Sequence, residues 1–219
     1  MNAGPNHRFT VSDRLVHNCG YGGGPGALEA MGALKMGLKQ EELQPIIRAW
    51  RDANPAITRL WRNVQDAAIR AVETGQRLAL KPGLKFYVKN SVLFVKLPSG
   101  RRLAYQRPTL REGQYGNELV YEEVVRTSAA GWGKEKTYGG KLVENITQAV
   151  ARDCLMHAML RVIKAGYEVV IHVHDELVLE APEGFGSLEE VERIMTEPLP
   201  WAPGLPLGAD GFESKYYKK

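Results

Sequence analysis

The sequence predicts an α+β fold, because helical and strand-like patterns occupy separate stretches of its 219 residues. Apolar residues recur at helical spacing over 27–75 and again over 141–165. Residues 77–106 alternate as strands do, and two short apolar runs within 167–180 predict a β hairpin.

Breaker residues fix where these elements begin and end. Asn54-Pro55 divides the first helical region, since proline suits the first turn of a new helix, and Gly75 is a stop signal. The strand region turns at Pro98-Ser-Gly100. Residues 107–137 are rich in glycine and charge and show no clear period, and a short helix is predicted at 187–197.

The composition is that of a soluble globular protein, with 44% hydrophobic and 25% charged residues. A net charge of +4 is compatible with a polyanionic partner. No apolar run is long enough to span a bilayer, and no signal segment opens the chain. Two cysteines, Cys19 and Cys154, are too few and too far apart in sequence to indicate a disulfide framework, so we expect a reducing, cytoplasmic compartment.

The hairpin carries the strongest chemical signal. Asp175 and Glu176 are expected at a tight turn between buried strands, where charge is costly unless a cation compensates. Carboxylate oxygens suit Mg²⁺, and two such ions can clamp the oxygens of a phosphoryl transfer. Asp175 is the best ligand candidate, and a second aspartate must come from elsewhere. A charged hairpin turn without metal is the plain alternative.

A zinc site is a second chemical alternative for the same segment. His172 and His174 alternate on a strand and would point to one face, with Asp175 beside them. A catalytic zinc ion usually needs a third protein ligand. The remaining histidines do not stand in a comparable setting: His7, His17 and His157.

Three segments, taken together and in order, resemble the family A DNA polymerases, and most closely the phage type of the bacterial DNA polymerase I family. They are Leu97–Arg101, Tyr138–Asp153 and the His-Val-His-Asp-Glu-Leu-Val-Leu-Glu run at 172–180. The resemblance extends from about Cys19 to Lys219. It implies part of a right-hand polymerase fold, with the rest of the fingers helices in 19–80 and the palm in 81–219.

The resemblance also implies roles for the hairpin residues. Asp175 matches one of the two metal-binding catalytic aspartates of a two-Mg²⁺ mechanism. His174 matches the residue against the primer terminus, and Glu176 matches the accessory carboxylate. Gln148 matches the glutamine that contacts the minor groove of the nascent pair. Glu144 stands where the family often has asparagine, which departs from that pattern.

Three further residues match DNA-contacting positions of the family. Arg101 and Arg102 match a Gly-Arg-Arg segment near primer–template DNA. Tyr21 matches the tyrosine that ends the fingers helix, near the templating base. The same helix should carry a lysine eight residues earlier and an arginine four before that. Asp13 and Phe9 stand there instead, and they cannot hold an incoming triphosphate.

The segment before this break resembles the C-terminal end of an intein, on the spacing from His7-Arg-Phe to Val-His-Asn-Cys at 16–19. In that family the thiol matching Cys19 attacks an upstream thioester, and the asparagine matching Asn18 cyclises and cuts the chain. His17 would donate a proton to that amide. Residues 1–18 are then an intein segment, and the first catalytic aspartate and the triphosphate-binding lysine lie upstream.

Together these resemblances imply the C-terminal fragment of a template-directed DNA polymerase that is inactive alone. Its expected partners are primer–template DNA, dNTP and the amino-terminal half of the polymerase, in the cytoplasm of a phage-infected or prophage-bearing bacterium. The chain is either one partner in trans-splicing or a gene fragment. A non-catalytic DNA-binding module, or less favourably a zinc hydrolase using His172, His174 and Asp175, are the alternatives.

Overall fold

The computed structural model describes residues 9–11, 14–16, 21–113, 116–124 and 131–217. The chain first forms a small antiparallel hairpin from β1 (Phe9–Val11) and β2 (Arg14–Val16). The predicted splicing residues His17, Asn18 and Cys19 lie outside the described residues.

The helices expected within 27–75 are present. They are α1 (Pro25–Ala30), a 3-10 turn at Leu34–Met36, α2 (Gln40–Ala53) and α3 (Pro55–Thr74). The break at Asn54-Pro55 is confirmed, and α3 ends at Gly75, whose φ of 70° is left-handed. One buried cluster links α1 to α2 through Leu28, Ala33, Leu43 and Ile47.

A six-stranded antiparallel meander follows, in which every strand pairs with its neighbours in sequence. Its strands are β3 (Leu78–Leu80), β4 (Leu84–Lys89), β5 (Val92–Lys96), β6 (Arg102–Gly113), β7 (Gly116–Val124) and β8 (Trp132–Thr137). The stretch 107–137, which showed no clear period, therefore supplies strands for half of the sheet.

Helix α3 covers one face of this sheet. Its contacting side is buried and rich in small residues, which lets the helix approach the strands closely: Val64, Ala67, Ala68 and Ala71. The facing side of the sheet contributes fully buried side chains from β4 and β5: Phe86, Leu93 and Val95. Because side chains alternate along a strand, the neighbours of these residues face away from α3.

The chain then forms the long helix α4 (Gly139–Lys164), the hairpin of β9 (Glu168–Val173) and β10 (Glu176–Glu180), and α5 (Leu188–Thr196). The helix, the hairpin and the short helix are all confirmed. A second buried cluster joins α4, the hairpin and α5 through Val162, Tyr167 and Ile194. Among the described helices, none combines the length and apolar character that a membrane span requires.

The fold is therefore α+β, as predicted. The chain divides into two compact units, the first comprising residues 1–96 and 102–146, the second 97–101 and 147–219. The division falls inside α4. The division reflects contacts within this chain and does not test the domain boundaries expected at residues 18 and 80, which stay a prediction.

Candidate nucleotidyl-transfer and DNA-binding residues

In the second unit, the acidic hairpin ends in a two-residue turn made by His174 and Asp175. His174 has a φ of 52°, a left-handed conformation that is uncommon outside glycine and that histidine adopts more readily than most residues. This turn leaves the Asp175 carboxylate exposed at the tip. Glu176 was expected in the turn, but it begins β10, opposite Val173.

The hairpin strands are less buried than expected. Val169, Leu177 and Leu179 pack on the second buried cluster, whereas Val170 and Ile171 are 40% and 45% exposed. The reason is that only one face of the two-stranded ribbon meets α4 and α5, and a bulge in β9 lets the adjacent Val170 and Ile171 both lie off that face. Burial of the strands therefore does not by itself make charge at the tip costly.

Helix α4 contacts β9 through the side chain of Arg152. The Arg152 guanidinium lies beside the His172 ring, with Nη1 3.2 Å from Nδ1 and Nη2 3.4 Å from Nε2. Gln148 is exposed one turn earlier on the same side of the helix, because residues four apart are neighbours there. The structure thus carries Gln148 and Arg152 on the helix face next to the strand that leads to Asp175.

The positions of His172 and His174 do not support the zinc alternative. His174 lies in the turn and not on the strand, so the alternation that would pair it with His172 is broken. The guanidinium of Arg152 occupies the ring edge of His172, where a second cation would be repelled. Within the described ranges there is no group of three His, Cys, Asp or Glu side chains able to hold a metal ion.

The loop at 97–101 is tied to α4 within the second unit. Arg101 donates from Nε to Asp153 Oδ1 at 2.5 Å and from Nη2 to the Ala149 carbonyl at 2.6 Å. The Ser99 hydroxyl donates to the other oxygen of Asp153, also at 2.5 Å. Arg101 was predicted as a DNA contact, and in this structure its guanidinium also anchors the loop. Sequence reasoning did not identify Asp153, since a carboxylate in a helix has no local signal for a partner 52 residues away.

In the first unit, Tyr21 and Gly22 are held by the start of α4. Added Cβ atoms at Gly139 and Gly140 would overlap the carbonyl oxygens of Trp61 and Tyr21 respectively. Arg51 donates to the carbonyls of Gly22 and Gly23 at 3.5 and 3.3 Å. A Gly-Gly pair that opens a strong helical pattern was the available signal for this close approach, and sequence reasoning missed it.

A cleft of about 640 Å³ opens beside this segment. Residues from α2, α3 and the start of α4 line it, among them Arg51, Arg62, Asp52 and Asp66, so its charges balance. Gly22 also lines the cleft. The residue after the predicted templating-base tyrosine therefore borders an open space in the first unit.

Asn145 and Arg102 are also placed in the first unit. Asn145 donates to the Tyr105 hydroxyl at 3.1 Å, and burial raises the pKa of that phenol, which keeps it neutral. The side chain of Asn145, next to Glu144, therefore makes its hydrogen bond to strand β6 of the sheet. Arg102 lies on the other side of the sheet, 3.4 Å from the Tyr87 hydroxyl and above the Phe94 ring.

Comparison with known proteins gives a specific result. The chain is 52% identical over 202 residues to the DNA polymerase of Bacillus phage SP02, a match that covers 91% of this chain and 31% of that protein. No protein-family model and no solved structure matches the chain. The chain thus spans less than a third of the relative's length and is homologous to a portion of a phage DNA polymerase.

Proposed function

We propose that the chain is the C-terminal part of a family A DNA polymerase, which performs template-directed nucleotidyl transfer once its amino-terminal half is joined to it. The observation that carries the proposal is the 52% identity to part of a phage DNA polymerase. The exposed carboxylate at the hairpin tip supports it, because such a group is accessible to a metal ion and a primer end.

The donor set of this chain fits a shared magnesium site. Asp175 and Glu176 offer hard oxygen ligands at an accessible tip, and no third acidic or histidine ligand joins them among the described residues. Under this proposal the other ligands of the site come from the upstream portion of the polymerase, outside this chain. When bound, Mg²⁺ would neutralise charge on the transferring phosphoryl group.

The remaining residues have roles in positioning under this proposal. Gln148 would donate to the minor-groove edge of the new base pair, and His174 would contact the primer terminus. Arg152 would hold His172, and with it the strand that ends at the tip. Tyr21 would stack near the templating base, a contact worth about 1–3 kcal/mol per base.

Purified alone, the chain is expected to show no primer extension, because half of the metal ligands are missing. Joined to the upstream portion of the related phage polymerase, it should extend a primer in a Mg²⁺-dependent reaction. Gel-resolved extension of a labelled primer–template measures both. Extension by the isolated chain contradicts the shared site. Salt-sensitive DNA binding without any extension after joining favours the non-catalytic DNA-binding module.

We further propose that residues 1–18 are an intein segment removed by splicing, on the resemblance around His17, Asn18 and Cys19. Mixing the chain with an amino-terminal half that ends in the matching intein piece should release residues 1–18, seen as a mass loss by intact-protein mass spectrometry. Asn18→Ala should block the release, because its side chain cannot cyclise. Release that persists in Asn18→Ala would disprove this role.

A further inference from the structure

We propose that the solvent side of strands β4 to β6 is a second DNA-binding surface, which holds the phosphodiester backbone through its basic side chains. We call it the basic face and define it by six side chains: Lys85, Tyr87, Lys89, Phe94, Lys96 and Arg102. The inference rests on the proposed function for its choice of DNA as the polyanion. Except for Arg102, the resemblance to polymerases gave these residues no role.

Strand register places the charges side by side. Lys85 lies opposite Lys96, and Lys96 lies opposite Arg102, so three cations form one row across β4, β5 and β6. Adjacent strands are about 4.8 Å apart. Phe86 and Val95, the buried neighbours of this row, point towards α3, which shows that the row itself faces solvent.

No ion pair among the described residues uses a member of this row. Like charges directly opposite each other destabilise a sheet, and natural sheets commonly pair opposite charges there. The ion pairs found among the described residues use other basic side chains, such as Arg107 with Glu122 and Lys136 with Glu118. An external polyanion would relieve this repulsion.

Basic residues are also concentrated in one part of the sequence. Residues 76–111 contain nine lysines and arginines and no aspartate or glutamate. Since the whole chain carries only +4, the rest of it is net negative. The basic character that is weak for the protein as a whole is therefore concentrated in a stretch that includes β4, β5 and most of β6, which raises the local potential for an anion.

Aromatic rings hold two arginines in place on this surface. The Cζ atom of Arg77 lies 4.9 Å from the centre of the Tyr87 ring, Tyr87 stacks on Phe94 at 5.5 Å, and Arg102 lies 5.8 Å from the Phe94 centre. A guanidinium stacked on a ring keeps N–H donors along its edge. The rings are covered by the arginines, so the basic face is suited to phosphate contacts more than to base stacking.

The test is DNA binding by the full chain, with no metal and no dNTP present, so that its outcome is independent of catalysis. The variant Lys85→Gln/Lys96→Gln removes two charges of the row. The matched control, Lys35→Gln/Lys164→Gln, removes two exposed charges elsewhere and gives the same net charge. Fluorescence anisotropy over a salt series is measured with a labelled duplex and with a single strand of the same length.

The row variant is expected to bind duplex about tenfold more weakly at low salt. Its log affinity against log salt should be less steep by about 1.8 for duplex, or about 1.4 if single strands are the preferred partner. The control should remain within about twofold of the parent chain. Equal losses in both variants, or no loss in the row variant, would overturn the inference.

Thermal unfolding separates lost binding from lost structure. Because the row variant relieves repulsion between opposite lysines, its Tm should equal or exceed that of the parent chain. If the variant unfolds instead, Lys89→Gln tests the same face, since the cross-strand neighbour of Lys89 is Val92. Unchanged DNA affinity and salt slope in Lys89→Gln would then count against the basic face.

Discussion

Replacing Asp175 by asparagine is expected to lower primer extension by the joined polymerase by about 10³-fold or more, with little change in DNA affinity. The physical reason is that the amide keeps the shape of the side chain but lacks the negative charge that a hard cation requires. Losing several kcal/mol of charge stabilisation in the transition state corresponds to a rate effect of this size. Single-turnover extension and anisotropy measure the two quantities separately.

The matched control for this variant is Glu180→Gln. Glu180 is an exposed carboxylate on the same hairpin, paired with Glu168 at the end remote from the tip. The joined polymerase that carries Glu180→Gln should extend primers at nearly the parent rate. A near-parent rate for Asp175→Asn, or an equal loss in both variants, would exclude Asp175 as a specific metal ligand. Raising Mg²⁺ should not rescue Asp175→Asn if its charge is essential.

Replacing Phe86 by alanine is expected to lower the free energy of unfolding by about 3–5 kcal/mol. Phe86 is fully buried in β4, on the face of the sheet that α3 covers, so the change removes apolar contacts and leaves a cavity. Urea denaturation, followed by circular dichroism, measures the loss. A protein at the lower end of the ordinary range of stability, about 5 kcal/mol, would then be close to unfolding.

Phe94→Ala provides the control on the other side of the sheet. Phe94 pairs with Tyr87 in the neighbouring strand and is only partly buried, so its truncation leaves no enclosed cavity. We expect a loss well below that of Phe86→Ala, mainly from the lost ring contact, worth about 0.5–1.5 kcal/mol. Equal losses would mean that α3 does not cover the Phe86 side.

Much of the fold could be predicted from local pattern. Residues 40–53 and 55–74 form helices because their apolar side chains recur at helical spacing, and Pro55 and Gly75 have backbone preferences that act without tertiary contacts. The β9–β10 hairpin is similar, since two β-branched runs around a short polar segment favour pairing with each other. In these elements local and tertiary preferences agree.

The strands between 107 and 137 could not be predicted in this way. The stretch is charged and rich in glycine, and it forms strands by the pairing of β7 with both β6 and β8. The turn at the hairpin tip was also misplaced by one residue, because the positive φ of His174 sets which two residues form the turn. Register depends on such turn geometry as well as on the hydrophobic pattern.

The helices, the hairpin and the acidic pair could be recognised from the chain alone, because each depends on residues that are near each other in sequence, and the resemblance to a polymerase rests on the order of three such local segments. The folded arrangement was needed to show that Lys85, Lys96 and Arg102 form one row, that Asp153 holds Arg101, and that Glu176 lies on a strand. The physical reason is that charges act through space. Strand pairing and helix packing bring together side chains whose separation in sequence carries no signal.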